Sequence, residues 1–324
     1  MSSTPTILAF FRDQADLATW SPLLEALPAR LFLMIGKEVP AELRTLEALS
    51  PRPLLALVSG RIYPTPAADL IRELRRLAPD LDAVVLASTY EDQLPVRPLM
   101  NDRVRHLAVT DPLREPGHAY KALCTLLGGT PWELATYLNP VASVIEVANV
   151  SPAGKETALE RIEALLAGED EDLALLRQRA VLLADEMLEN AFIISNTGNG
   201  DLPGRITRQE TSITLRAGFD GESLALQVVD RQGSLFPEKA LAFLAQHQDG
   251  TVPLDQPHGR GLFIIWRFLD HFHVNIRPGL ETAIGGQLKR SSSLGTDRPK
   301  GFHFFIHPPA GSTFFQPDTA PALA

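Results

Sequence analysis

The composition of this 324-residue chain is that of a globular protein with room for two domains. Hydrophobic residues make up 45% and charged residues 21%, which excludes wholesale disorder. The formal net charge is -9, so no global attraction to nucleic acid or to an anionic membrane is expected. A nucleic-acid partner is therefore not expected.

Cysteine usage and the first residues favour a cytoplasmic location. The single cysteine, Cys124, lies in an apolar run and has no partner for an internal disulfide, which fits a reducing compartment. Residues 1–13 lack the basic start and the long apolar core of a signal peptide. No apolar run reaches the length needed to cross a bilayer. We therefore expect a cytoplasmic protein without a membrane span.

The first 128 residues alternate short apolar runs with helical patterns. Five continuous apolar runs, of the kind that fill a parallel sheet, are expected to be strands: residues 6–11, 31–35, 54–58, 83–87 and 105–109. Helical periodicity predicts helices at residues 16–27, 67–78 and 119–127. This alternation predicts an α/β domain over residues 1–128, built on a doubly wound parallel sheet.

A turn-forming break at residues 128–131 separates this domain from a second one. Residues 129–140 are predicted to form a connecting helix, with its apolar pattern at 132–138. Further helices are expected at residues 153–167, 173–194, 237–246 and 262–269. Strands are expected at residues 143–150, 211–217, 224–230, 272–276, 282–288 and 302–306. The second domain thus covers residues 141–308, and residues 309–324 are expected to be a flexible tail.

The longest helical pattern has an acid and an amide one turn apart. Glu186 and Asn190 lie four residues apart on a flank of the apolar stripe, so their side chains are neighbours. An amide oxygen suits Mg²⁺, which takes oxygen ligands while it keeps waters and a phosphate. The carboxylate can polarise an attacking hydroxyl or water. The competing interpretation is the solvated flank of an ordinary amphipathic helix.

Three further motifs follow in order and point to a nucleotide. Asp230 ends a predicted strand, where its carboxylate can accept a hydrogen bond from an adenine amino group, and Gly233 lets the chain pass close to a flat ring. Gly259 and Gly261 precede a helix, whose first N–H groups and dipole attract phosphate oxygens. Thr282 follows a turn and places a hydroxyl near the edge of the base.

The order of these motifs resembles the GHKL ATPase superfamily and, within it, the anti-sigma-factor serine kinases. The resemblance covers residues 141–308 and implies the α+β two-layer sandwich of histidine-kinase-like ATPases. It implies ATP and Mg²⁺ as cofactors, Glu186 as the general base toward a serine of a partner protein, and Asn190 as the Mg²⁺ ligand. ATP and a signalling protein are thus the implied partners.

The other sequence boxes of that superfamily are matched in part. The cofactor-binding residues implied by the resemblance are Asn190, Asp230, Gly233, Gly259, Arg260, Gly261, Leu262 and Thr282. The D-x-G-x-G box reads D-R-Q-G-S here, which keeps the acid and one glycine but alters the adenine pocket. Arg260 either adds a phosphate contact or is simply exposed. Phe263 stands where many members have another glycine or a leucine.

The pattern of residues 1–128 resembles the receiver domain of bacterial response regulators. At the position of the phosphoacceptor aspartate this chain has Gly60, and the acidic cluster after the first strand reads Arg12-Asp13. The lysine that follows the fifth strand is replaced by Asp111, whereas Ser88 matches the usual small hydroxyl residue. Because the acceptor and a clustered-acid Mg²⁺ site are both missing, we expect a degenerate receiver-like domain that cannot be phosphorylated in the usual way.

Histidines offer a separate candidate site. Four of them lie on predicted strands at two- or four-residue spacing: His271, His273, His303 and His307. One face of these strands is therefore a weak candidate for metal binding, against satisfied or surface imidazoles. His247 and His258 precede the predicted glycine turn and are candidates for a lid region by position alone.

Two functions stay open from the sequence. The first is a cytoplasmic bacterial signalling protein, of the two-component type, that binds Mg-ATP and phosphorylates a partner serine under the control of its receiver-like domain. The second is a non-catalytic scaffold or adaptor whose nucleotide site is degenerate or acts only as a switch. A histidine-kinase fragment is disfavoured because the E-x-x-x-N motif, Glu186 to Asn190, has its acid in the manner of the serine kinases. The oligomeric state is left open, a homodimer included.

Overall fold

The chain is described by a computed structural model at residues 4–36, 55–111, 117–128, 132–196, 212–250, 260–290 and 298–307. Residues up to 128 belong to one unit, and residues 132–307 belong to a second. The predicted tail at 309–324 lies outside the described residues. Each unit combines a β-sheet with helices, so the mixed α/β character expected from the sequence is confirmed.

The first unit has a five-stranded sheet in the order β2-β1-β3-β4-β5, with every neighbouring pair parallel. The strands are β1 Thr6–Phe11, β2 Arg30–Ile35, β3 Leu55–Ser59, β4 Asp82–Ser88 and β5 His106–Thr110. The described helices of this unit are α1 Gln14–Ala26, α2 Ala67–Leu77, α3 Val96–Asn101 and α4 Gly117–Gly128. Each predicted strand lies within one residue of its place in the structure.

Helices cover both faces of this sheet. On one face, Ile7 and Phe11 of β1 belong to a buried cluster with Trp20 of α1 and Leu123 of α4. The alternate residue Leu8 points to the other face and is also fully buried. Burial on both faces explains why these strands read as continuous apolar runs rather than as alternating ones.

The second unit has a six-stranded sheet in the order β11-β9-β10-β8-β7-β6. Its strands are β6 Ser143–Val147, β7 Ile213–Phe219, β8 Ser223–Asp230, β9 His271–Arg277, β10 Glu281–Lys289 and β11 Phe302–Ile306. Neighbouring strands are antiparallel except for the parallel pair β9 and β11. The predicted hairpin joins β7 to β8, where Gly221 has φ +96° and Asp220 Oδ1 accepts from Ser223 N–H at 2.8 Å.

Four helices are described in this unit: α5 Lys155–Leu165, α6 Glu171–Asn196, α7 Pro237–Gln248 and α8 Arg260–Phe268. The long helix α6 packs against β8, β10, α5 and α8. The buried residues of its apolar stripe are Leu173, Leu176, Ala180, Leu183, Met187 and Ala191. Its position makes it the central element of the helical layer. No helix among the described residues is both long and apolar enough to cross a membrane.

The segment predicted as a connecting helix differs from expectation. Residues 132–138 contain only the 3-10 turn Leu134–Tyr137 and pack within the second unit. The Asn275 side chain pairs with both backbone polar groups of Trp132: Asn275 Oδ1 accepts from Trp132 N–H at 3.3 Å, and Asn275 Nδ2 donates to Trp132 O at 2.7 Å. These bonds replace the intrahelical ones, so a tertiary contact overrides the helical pattern.

Candidate functional site

Helix α6 presents the predicted acid and amide on the flank of its buried stripe. The Asp170 carboxylate caps the helix by accepting from Leu173 N–H at 2.9 Å, and Leu183 in the stripe is fully buried. Glu186 and Asn190 are half-buried, one turn apart, as the pattern predicts. The Asn190 amide nitrogen is buried and has no hydrogen bond within the described residues. This nitrogen is therefore not used to hold the helix in place.

Gly261 lies directly against this pair. A methyl carbon on Gly261 would stand 2.6 Å from Glu186 Oε2 and 3.0 Å from Asn190 Nδ2. Because α8 begins at Arg260, the positive end of that helix meets the acid and the amide. Residues some 70 positions apart in the sequence are thus brought together, and the absence of a side chain on Gly261 lets them come this close.

Charges on three helices act on the Glu186 carboxylate. Burial raises its pKa above the ordinary value, and the neighbouring charges of Asp185 and Glu189 add to this rise. The Arg260 guanidinium and the Lys155 ammonium act in the opposite direction. A carboxylate with a raised pKa is a stronger base, which suits the acceptance of a proton from a hydroxyl group.

An ion cluster beside Glu186 was missed by the sequence reasoning. Lys155 Nζ, at the start of α5, lies 2.7 Å from Asp185 Oδ1 and 2.5 Å from Glu189 Oε1. These two carboxylates raise the pKa of Lys155. The four-residue spacing of the acids is visible in the sequence, but nothing in the pattern shows that Lys155 lies beside them.

Asp230 and Thr282 form a second pair, where β8 ends and β10 begins. They lie opposite each other in the register of β8 and β10, and both are buried. Asp230 Oδ1 accepts from Gln232 N–H at 2.9 Å. Burial raises the pKa of Asp230, although the Gln232 and Gly233 N–H groups stabilise the charged form. A buried carboxylate needs hydrogen-bond donors, and a neutral N–H group of a ligand can supply one.

The two pairs lie on the same side of the sheet. Side chains alternate along β10, so Thr282 and Gly286 share a face, and a methyl group on Gly286 would contact Leu269 at the end of α8. Asp230, opposite Thr282, belongs to that helix-covered face, and α6 packs on it beside α8. Four elements, α6, α8, β8 and β10, therefore place the two pairs on the helix-covered face of the sheet.

Gly233 is held by the protein's own backbone. It has φ +59°, and a methyl group there would contact Arg277 O and would lie 2.6 Å from Leu280 N and 2.7 Å from Gly279 N. Gly279 N–H also donates to Gly233 O at 3.1 Å. The need for glycine at this position thus comes from the β9–β10 turn, whereas a close approach to a flat ring stays a prediction.

The other predicted residues near the start of α8 have packing contacts or lie outside the described residues. Leu262 is buried in the core, so its contribution is packing of the helix. Phe263 stacks on His247, with ring centroids 5.4 Å apart. This contact places the His247 imidazole near the start of α8. Burial and the Arg260 charge lower the pKa of His247. Gly259 and His258 lie outside the described residues.

The carboxyl end of α8 is anchored by two cations. Arg179 Nη2 donates to Phe268 O at 2.9 Å, and Lys300 Nζ donates to Leu269 O at 2.8 Å. Trp266 Nε1 donates to Gly301 O at 3.0 Å. Positive charge at a helix carboxyl end is favourable, so these bonds fix the axis whose other end meets Glu186.

Lys300 makes the stability of the protein depend on pH. Its ammonium is buried, which lowers its pKa from 10.5 to about 8 in spite of Asp270 nearby. Between pH 8 and pH 10.5 the unfolded chain binds more protons at this residue, so its contribution to stability rises with pH. The free energy of unfolding should increase by about 3 kcal/mol across this window, relative to Lys300→Met. Urea unfolding of both proteins at several pH values measures it; parallel pH curves would contradict the assignment.

The face of β9 and β11 that has the predicted histidines is covered by Trp132 and Tyr137. Tyr137 Oη lies 2.7 Å from His271 Nδ1 and 2.5 Å from His273 Nδ1, so one imidazole donates to the hydroxyl oxygen and the other accepts its proton. The Trp132 indole stacks on His271 and on His303. Within the described residues no group of three metal-ligating side chains is found. The face predicted as a weak metal candidate is a packed aromatic core.

The receiver-like positions of the first unit are buried or paired. Gly60 is buried where β3 ends, and a methyl group there would lie 3.0 Å from Leu86 O. Ser88 is buried at the end of β4. Asp111 Oδ2 accepts from Tyr90 Oη at 2.7 Å. The carboxylate at the lysine position is thus bonded to a tyrosine.

Comparisons with known proteins identify no family. No protein-family profile matches the sequence, and no curated protein matches it. Partial likenesses to solved structures include the following three. A pilus assembly-related protein from Burkholderia pseudomallei is 20% identical, covers 41% of this chain and 96% of its own, and has a TM-score of 0.32.

The other two likenesses are of the same order. The response regulator RcsB from Salmonella typhimurium is 14% identical, covers 60% of this chain and 92% of its own, and has a TM-score of 0.30. A GCN5-related glucosamine N-acetyltransferase region in a fungal multi-domain β-N-acetylglucosaminidase is 10% identical, covers 71% of this chain but 25% of that one, and has a TM-score of 0.29. Scores this low do not establish a shared fold, so the following proposals rest on the geometry.

Proposed function

We propose that residues 141–308 form a GHKL-type ATPase domain that binds Mg-ATP and phosphorylates a serine of a partner protein. Glu186 accepts the proton of the serine hydroxyl, and the Asn190 amide oxygen holds Mg²⁺. Asp230 and Thr282 bind the adenine edge, and the N–H groups at Arg260 and Gly261 meet the phosphates. The first unit acts as a receiver-like regulatory module, and the protein works in cytoplasmic signalling.

One observation supports this proposal above the others. Gly261, at the positive end of α8, lies so close to Glu186 and Asn190 that an added methyl carbon would stand 2.6 Å from Glu186 Oε2 and 3.0 Å from Asn190 Nδ2. A general base, an oxygen ligand for Mg²⁺ and a helix amino end are the three parts that phosphoryl transfer needs at one point. The residues present therefore fit the Mg-ATP that the sequence motifs imply.

Two variants separate the roles of the acid and the amide. Asn190→Ala should reduce Mg-ATP affinity by at least about 100-fold, because a Mg²⁺ ligand is lost. Glu186→Gln should change affinity less than about threefold, because its role lies in proton transfer, yet it should abolish phosphorylation. Calorimetric titration with Mg-ADP and with a nonhydrolysable ATP analogue measures binding.

A matched control uses the same helix. Glu189→Gln alters an exposed acid next to Asn190 and should leave nucleotide affinity unchanged. Equal affinity for wild type and Asn190→Ala would refute the Mg²⁺ assignment. No heat with either nucleotide would refute ATP binding itself.

The second candidate is a non-catalytic scaffold, in which function lies in protein–protein contact. The position of Gly233 favours it, because the D-R-Q-G-S segment is packed against the protein's own β9–β10 turn. Nucleotide binding without any phosphoryl transfer to a partner would support a switching scaffold. Absence of nucleotide binding would support a simple adaptor.

A further inference from the structure

The strand order of the first unit has a switch point, the kind of position at which doubly wound sheets commonly bind ligands. In the order β2-β1-β3-β4-β5 the chain reverses direction across the sheet between β1 and β3, and ligands bind beyond the carboxyl ends of the strands at such a point. Arg61, directly after β3, occupies this place. Its backbone N–H donates to Ser59 Oγ at 3.2 Å, which turns the chain over the strand ends.

The Arg61 side chain contacts two acids, one that follows β1 and one that follows β4, the two strands on either side of β3. Its Nε donates to Glu91 Oε1 at 2.6 Å, and Glu91 Oε2 in turn accepts from Ser88 N–H at 3.2 Å. Its Nη1 lies 3.8 Å from Asp16 Oδ1, in the first turn of α1. A single cation therefore links the ends of β1, β3 and β4.

Asp16 is the residue whose surroundings call for a cation. It is completely buried; its Oδ2 accepts from Arg12 N–H at 2.9 Å, whereas its Oδ1 has no hydrogen bond within the described residues. The 3.8 Å to Arg61 is too long for a hydrogen bond, so the attraction is electrostatic only. A buried carboxylate oxygen without a hydrogen bond is costly unless a positive charge faces it.

We propose that Arg61 is a built-in cation filling a latent divalent-cation site whose ligands are Asp16 and Glu91. These acids supply two negative charges, which one guanidinium balances only in part and which a hard divalent cation with oxygen ligands balances fully. Asp13 is not needed, because its two oxygens accept from Asp16 N–H and Arg12 Nε, each at 2.8 Å. In the native chain the Arg61 guanidinium occupies the position of the metal ion, so this site does not bind a divalent cation.

Neutralising Arg61 should therefore create metal binding. The test uses the full chain in the Asn190→Ala background without nucleotide, so that the proposed site of the second unit does not contribute. Mn²⁺ is titrated by calorimetry and electron paramagnetic resonance. Arg61→Ala should bind Mn²⁺ at least about tenfold more tightly than the parent, and Asp16→Asn added to it should remove the gain. Arg61→Lys, which keeps the charge, should show none.

The possible outcomes decide the proposal. Gain in Arg61→Ala and its loss with Asp16→Asn support it. Equal Mn²⁺ affinity in the parent and in Arg61→Ala overturns it, as does a gain that survives Asp16→Asn. If Arg61→Ala is unfolded without metal, Mn²⁺ should restore its unfolding transition. Failure of both Arg61→Ala and Arg61→Gln to respond to Mn²⁺ also overturns it.

Discussion

Gly261→Ala is expected to reduce Mg-ATP affinity by at least about 100-fold while the protein stays folded. The new methyl carbon would stand 2.6 Å from Glu186 Oε2 and 3.0 Å from Asn190 Nδ2. Both atoms are at the far ends of side chains that can rotate away, so the cost in stability should stay below about 1 kcal/mol. The loss falls on the arrangement of the acid and the amide, which is what the proposed site depends on.

Calorimetry with Mg-ADP measures the affinity, and thermal unfolding measures the stability of the same sample. Gly154→Ala is a matched control, because that glycine also lies at the amino end of a helix but its methyl group would meet only Ser151 Oγ, at 3.4 Å. The control should match wild type in both measurements. If Gly261→Ala has wild-type affinity and wild-type stability, nucleotide binding does not depend on the contact of Gly261 with Glu186 and Asn190.

Periodicity predicts most of the elements because each buries a face that the sequence repeats. The strand runs of the first unit and the stripe of α6 are examples, and their bounds follow closely from the pattern. Helix α3 is not predicted, because six residues with Pro98 among them are too few to show a helical repeat of apolar positions. Residues 132–138 are predicted as a helix but form only the turn Leu134–Tyr137, because the contacts of Trp132 with Asn275 and of Tyr137 with His271 come from distant strands that the local pattern does not show.

The candidate site could be predicted only in its parts. The four-residue spacing of Glu186 and Asn190 fixes their relation on one helix. A glycine before a helix indicates an amino end, but the contact of Gly261 with that pair depends on how α8 packs on α6. Lys155, which pairs with acids beside Glu186, could not be found, because a tertiary ion pair leaves no local pattern.

Gly233→Ala is expected to destabilise the second unit far more than Gly279→Ala does. Both glycines have positive φ, +59° and +71°, so alanine costs about 1 kcal/mol of backbone strain at either position. At Gly279 no atom lies within 4 Å of the added carbon, whereas at Gly233 the carbon meets Arg277 O, Leu280 N and the Gly279 nitrogen. These are backbone atoms of a tight turn and cannot rotate away. The additional loss at Gly233 should be at least about 3 kcal/mol.

Urea unfolding followed by ¹⁹F NMR of fluorotryptophan-labelled protein can measure this difference, because Trp132 and Trp266 report the second unit and Trp20 the first. Only the two signals of the second unit should shift to lower urea in Gly233→Ala. Similar midpoints for the two alanine variants would mean that the β9–β10 turn yields to the added carbon. The segment after Asp230 could then move to admit a planar ring, and the close-approach role predicted for Gly233 would gain support over the purely structural one.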